Sequence, residues 1–190
     1  MKKRKMTIIE YEKYIGTYTI VLNNARSCNN IFKIIEEIIR MFINSEELFF
    51  GFYRVDGVYL TSKQIKRYSK EIPAFFQTSG CNIKRIDDHL MIAKTMVNEK
   101  VYKMLPQIFN YFLETIVFSP KVSWETFEEY YSHYMKNRNE DYIINGFADI
   151  LFSYFDSEDF MICFNSMKYD SNEVRNAIEE IINNRWDERQ

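Results

Sequence analysis

Cys81 follows Ser79-Gly80, and the carboxylates Asp87 and Asp88 and the imidazole of His89 come a few residues later. A thiol, an imidazole and an acid generate a reactive thiolate when they meet, because the imidazole takes the proton and the acid holds the ring in place. Cys81 and His89 are therefore the catalytic candidates of this sequence. Their spacing alone does not bring the two side chains together, no loop that would stabilise an oxyanion is recognisable, and a thiol packed as a small apolar group accounts for Cys81 equally well. The only other histidine is His133, and neither histidine has a second histidine or a cysteine at ligand spacing, so no metal site is expected. There is no glycine-rich phosphate loop, no Gly-x-Ser-x-Gly, no His-Glu-x-x-His and no Cys-x-x-Cys, and nothing implies a cofactor. The pairs Glu46-Glu47, Asp87-Asp88 and Glu128-Glu129 are ordinary solubilising charge, and Tyr53, Arg54 and Asp56 fit a polar strand end as well as a pocket wall. The reading leans away from an enzyme.

Charge carries more information than any motif. Residues 1–95 hold 16 Lys and Arg against 10 Asp and Glu, and residues 96–190 hold 9 against 17. The acidic excess is steepest between Ser123 and Asp159, a run that also holds Asp149. There Glu125, Glu128, Glu129, Glu140, Asp141, Asp156, Glu158 and Asp159 interleave with Trp124, Tyr130, Tyr131 and Tyr134. Negative potential attracts a basic partner over a distance, and aromatic side chains anchor an interface once it forms, so these twelve residues are the candidate partner-binding set. The competing account is a solvated acidic face over an aromatic core. Lys63, Lys66, Arg67 and Lys70 fall on one side of a short helical pattern and are the candidate phosphate-contacting residues. A mildly acidic chain without a nucleic-acid motif disfavours that use.

These residues need elements to position them. Ile31, Ile34, Ile35, Ile38, Ile39 and Phe42 share one helical face, and the run Tyr18 to Leu22 before them predicts a strand. Leu48 to Val55 and Val58 to Leu60 around Asp56-Gly57 predict a hairpin, and Ser62 caps a short helix that Pro73 stops. A second hairpin is expected from Ile83 to Ile86 and Leu90 to Val97. Residues 98–118 are apolar nearly all round and predict one buried helix, with Pro106 kinking it or marking its true first turn. Ser123 caps a helix bearing Trp124, Phe127, Tyr131 and Tyr134, and a further helix is expected from about Asp141 with Ile143, Phe147, Ile150, Leu151 and Tyr154. Phe160 to Phe164 predicts a strand, and Asp170 with Glu173 opens a last helix along Val174, Ala177, Ile178, Ile181 and Ile182. The strand and helix at Tyr18 and Ile35-Glu36-Glu37-Ile38-Ile39 resemble those at Phe160 and Ile178-Glu179-Glu180-Ile181-Ile182. Any amphipathic helix written in this vocabulary would look alike.

The sum is an α+β chain of one domain over residues 1–190, with the ends 1–6 and 186–190 frayed. It is read as helix-rich, with about six helices and a small, mainly antiparallel sheet of about four to six strands. A hydrophobic content of 46% with 17% aromatic residues supports a packed core, and Gly 5 and Pro 3 leave few turn residues for an all-β sandwich. Three unpaired-looking cysteines, an interrupted basic N-terminus and no apolar run long enough to span a bilayer predict a cytoplasmic protein without a membrane partner. The expected function is non-catalytic: an inhibitor or immunity-type protein that neutralises a basic toxin or nuclease. The alternatives are an enzyme built on Cys81 and His89 or on a carboxylate pair, and a nucleic-acid-binding regulatory module.

Overall fold

A computed structural model describes residues 6–14, 16–25, 30–43, 46–53, 82–86, 90–111, 114–137, 146–155 and 159–187. The described strands are β1 (Thr7–Tyr14), β2 (Thr17–Asn23), β3 (Glu47–Tyr53), β4 (Asn82–Arg85), β5 (Leu90–Met96), β6 (Glu114–Phe118), β7 (Ile150–Phe155) and β8 (Phe160–Asn165). The helices are α1 (Ile31–Phe42), α2 (Glu99–Tyr111), α3 (Trp124–Asn137) and α4 (Ser171–Asp187). All eight strands join one sheet in the order β1-β2-β8-β7-β6-β3-β5-β4, and each neighbouring pair is antiparallel.

This corrects the expectation of a small sheet under about six helices: the described residues form four helices and one eight-stranded sheet. Two predicted helices contain strands. Thr115 and Val117 point to one face of the sheet and Ile116 and Phe118 to the other, and all four are buried. A strand covered on both faces has no polar positions to alternate with, so its sequence reads as a helix that is apolar all round. The stretch Asn98 to Phe118 accordingly divides into α2 and β6, and Pro106 lies inside α2 instead of in its first turn. The same cause turns Ile150, Leu151 and Tyr154 from a helical stripe into β7, where Ile150, Phe152 and Tyr154 face one core and Leu151 the other. β1 was not foreseen. β3 begins as expected, but its two neighbours are β5 and β6. The remaining arm of the predicted hairpin and the short helix after Ser62 lie outside the described residues.

The larger core fills one face, where Ile34, Ile35 and Ile38 of α1, Val101, Leu105 and Ile108 of α2, and Val174, Ile178 and Ile181 of α4 cover Ile20, Phe50, Phe152, Ile162 and Phe164. The smaller core fills part of the opposite face, where Phe127 and Tyr131 of α3 meet Phe49, Ile116, Phe118, Leu151 and Cys163.

The N-terminal hairpin meets the last strand near one edge of the sheet. β2 lies against β8 with Ile20 opposite Ile162, so the unit β1-β2-α1 and the unit β7-β8-α4 stand about an approximate twofold axis at that pair. Under that axis Ile8 matches Ile150, Tyr18 matches Phe160 and Leu22 matches Phe164 at one constant spacing. Ile35, Ile38 and Ile39 match Ile178, Ile181 and Ile182 with one extra residue before the second helix.

Candidate functional site

α3 is started by Ser123, whose hydroxyl oxygen accepts the backbone N–H of Thr126 at 3.3 Å, and whose carbonyl accepts that of Phe127 at 3.0 Å. Residues one turn apart then fall on one stripe, and the stripe Trp124, Phe127 and Tyr131 is apolar, so it turns toward the sheet. Phe49 meets the rings of Phe127 at 5.1 Å, Trp124 at 5.4 Å and Phe118 at 5.9 Å, and Phe127 meets Tyr131 at 4.9 Å. Tyr131 is 1% exposed and Phe127 0%, so these two rings hold α3 to the sheet and are not available to a partner.

Among the side chains of α3 that are described, residues 124–131, three are exposed to solvent beside the half-buried Glu128. Glu125 and Glu129, one turn apart, are both exposed, and Tyr130 beside them is 41% exposed. Among the described residues neither glutamate has a basic side chain at ion-pair distance. The backbone N–H of Glu125 itself, then the Ser123 hydroxyl, hold the Glu125 carboxyl below its usual range, with Lys94 adding to the effect. Glu128 is different, because the Lys84 ammonium on β4 pairs with it. Between β4 and α3 runs an open groove of about 360 Å³ with Lys84 and Arg85 on one bank and Glu125, Glu128 and Glu129 on the other.

Asp159 belongs to another place. Its Oδ1 accepts the backbone N–H of Asn24 at 3.0 Å, and Asn24 sits at a φ of 56, so this carboxylate secures a left-handed turn at the end of β2. Trp124, Glu125, Glu128, Glu129, Tyr130 and Tyr131 thus come together on α3, and Tyr134 lies on the same helix. Glu140, Asp141, Asp156 and Glu158 lie outside the described residues, as do Cys81, His89, Lys63, Lys66, Arg67 and Lys70. The one described cysteine, Cys163, is buried at 0% exposure with the Thr19 hydroxyl 3.5 Å from its Sγ. Among the described residues no group of three or more His, Cys, Asp or Glu side chains is placed to hold a metal ion. No known protein family, curated protein or solved structure matches the chain.

One cluster was not singled out from the sequence. Asp149, the residue before β7, accepts a hydrogen bond from Lys121 Nζ at 3.1 Å on one carboxylate oxygen and is paired with Lys168 on the other. Burial pushes this carboxyl up, but the ammonium groups of Lys168 and Lys121 outweigh it and hold it below its usual range. The three residues are far apart in sequence and meet only because β6, β7 and β8 are neighbours, so no spacing rule could have found them. Among the described residues no helix is long and apolar enough to cross a membrane.

Proposed function

We propose that the chain is a non-catalytic, cytoplasmic protein-binding protein of the inhibitor or immunity type, which holds a basic toxin or nuclease against the outer side of α3. The observation that carries this reading is the pair Glu125 and Glu129, exposed one turn apart beside the exposed ring of Tyr130. Two exposed carboxylates, neither of them in an ion pair among the described residues, raise the rate at which a cationic surface arrives, and an aromatic ring next to them slows its departure.

The test is capture from the native host at low salt with the wild-type chain and with the triple variant Glu125→Lys, Glu129→Lys, Tyr130→Ala. The reading expects a basic protein held by the wild type and lost from the variant, with an association rate for the purified pair that falls as salt is raised. Equal capture by both chains, or an association rate indifferent to salt, removes it.

A further inference from the structure

At the end of the sheet where β6 finishes and β7 begins, a cavity of about 460 Å³ opens beneath the β8–α4 turn. That volume falls in the range of about 300–1,000 Å³ typical of small-molecule sites. Its polar wall is the Lys121, Asp149 and Lys168 cluster, and its apolar wall is Phe42, Pro120, Ile150 and Tyr169. It shares no residue with the groove beside α3.

The polar wall is held from the backbone. The Lys121 N–H donates to the carbonyl of Phe147 at 2.6 Å, the Asp149 carbonyl accepts the N–H of Asn165 at 2.9 Å, and the Asn165 carbonyl accepts the N–H groups of Lys168 and Tyr169, each at 3.0 Å. The apolar wall is equally fixed: Tyr169 meets Phe42 edge-on at 6.3 Å and Phe164 at 6.1 Å. Each ammonium has three donors and spends one on Asp149, and the lysine side chains are 40% and 57% exposed against 19% for Asp149, so unused donors face the opening. The carboxylate raises the Lys168 pKa, which keeps that ammonium charged through the neutral range.

We propose that this cavity binds a small organic monocarboxylate whose ring or apolar body lies against Tyr169 and Phe42 while its carboxylate bridges Lys121 and Lys168. Two cations and one anion leave a single positive charge in the wall. A monoanion cancels that charge, whereas a phosphate dianion would leave an excess negative charge beside Asp149.

The experiment is a titration followed by backbone amide resonances, with benzoate as the probe, acetate and benzyl alcohol as its two halves, and phenyl phosphate as the dianion. Benzoate is expected to shift the amides of Tyr169 and of Ser119, which also lines the cavity, with a Kd below about 10 mM, and to bind more tightly than either half. Lys121→Gln and Lys168→Gln each weaken benzoate by about fivefold, near the upper end for a solvent-accessible ion pair. Asp149→Asn does the opposite: it tightens benzoate and raises phenyl phosphate relative to it, because a competing carboxylate is gone. A merely structural ion pair gives no such reversal of sign. Benzoate binding no tighter than benzyl alcohol, or weakened by Asp149→Asn as it is by the lysine variants, overturns the proposal. Should Asp149→Asn not fold, Lys168→Gln decides the matter alone, since that side chain is exposed: unchanged benzoate affinity there also overturns it.

Discussion

A Cβ built at Gly51 would fall within the van der Waals envelope of the Tyr131 hydroxyl and 2.8 Å from Cγ1 of Ile116. Gly51 sits in β3 between Ile116 of β6 and Ile92 of β5, on the face that α3 covers, so the missing side chain is what leaves room for the tyrosine hydroxyl. Neither neighbour can withdraw, because Tyr131 is wedged against Phe127 and Ile116 is part of a backbone ladder. Gly51→Ala is therefore expected to cost about 1–3 kcal/mol in urea unfolding, the usual penalty for overfilling a packed core. In a Tyr131→Ala background the same change should cost far less, and equal costs in the two backgrounds would contradict the contact. The sequence offered Tyr131 both as a partner anchor and as part of an aromatic core, but not this contact, because the glycine that receives it lies on a strand eighty residues earlier in the chain. Glu125, Glu129 and Tyr130 were legible, since their exposure follows from helical spacing alone.

Between elements, the best-defined polar contact joins α1 to α2. The Arg40 guanidinium donates to both Glu99 oxygens at 2.8 and 2.9 Å and through Nε to Glu36 at 2.9 Å, and it lies 3.7 Å above the Tyr102 ring. The fork geometry and the stacking both depend on a planar group, and an ammonium provides neither. Arg40→Lys should therefore lower stability by about 1 kcal/mol even though the charge is kept, read as a shift in the urea midpoint at constant slope. An unchanged midpoint would mean that net charge alone is what counts. Elements whose one face is solvated were readable from periodicity: α1, α3, α4 and the β4–β5 pairing all stand where the pattern predicts. β2, β3 and β8, buried on both faces, were still read as strands because each is a short apolar run with polar residues at its ends, whereas the residues of β6 and β7 continued a neighbouring apolar stretch at helical spacing and were taken for helices. The cavity wall of Lys121, Asp149 and Lys168 failed to register for a related reason, since its parts come from three separate connections that only the strand order brings together.

Across the molecule, strand order ties the beginning of the chain to its end. The ladder between β2 and β8 is the sole strand pairing that joins the N-terminal hairpin to the rest of the described sheet, and α1 and α4 pack side by side over it. Ile20 and Ile162 face one another at its centre, both at 0% exposure. A sequence read in order could not anticipate this, because the pairing spans nearly the whole chain, and the resemblance between the two strand-and-helix units gave no indication that they would lie against each other. If the two halves form one cooperative unit, a cavity at this pair weakens everything at once. Ile20→Ala and Ile162→Ala should each cost about 2–5 kcal/mol, the usual range for removing a buried Ile side chain. Backbone and aromatic signals should still melt together at one lowered midpoint. The double variant should cost less than the two separate losses combined, because the second truncation removes a side chain that already lacks its partner. Two separated transitions in Ile20→Ala, with the β1-β2 hairpin lost first, would show instead that the N-terminal unit is held on as an appendage, and the sheet would then have to be regarded as a stable body of six strands with a detachable edge.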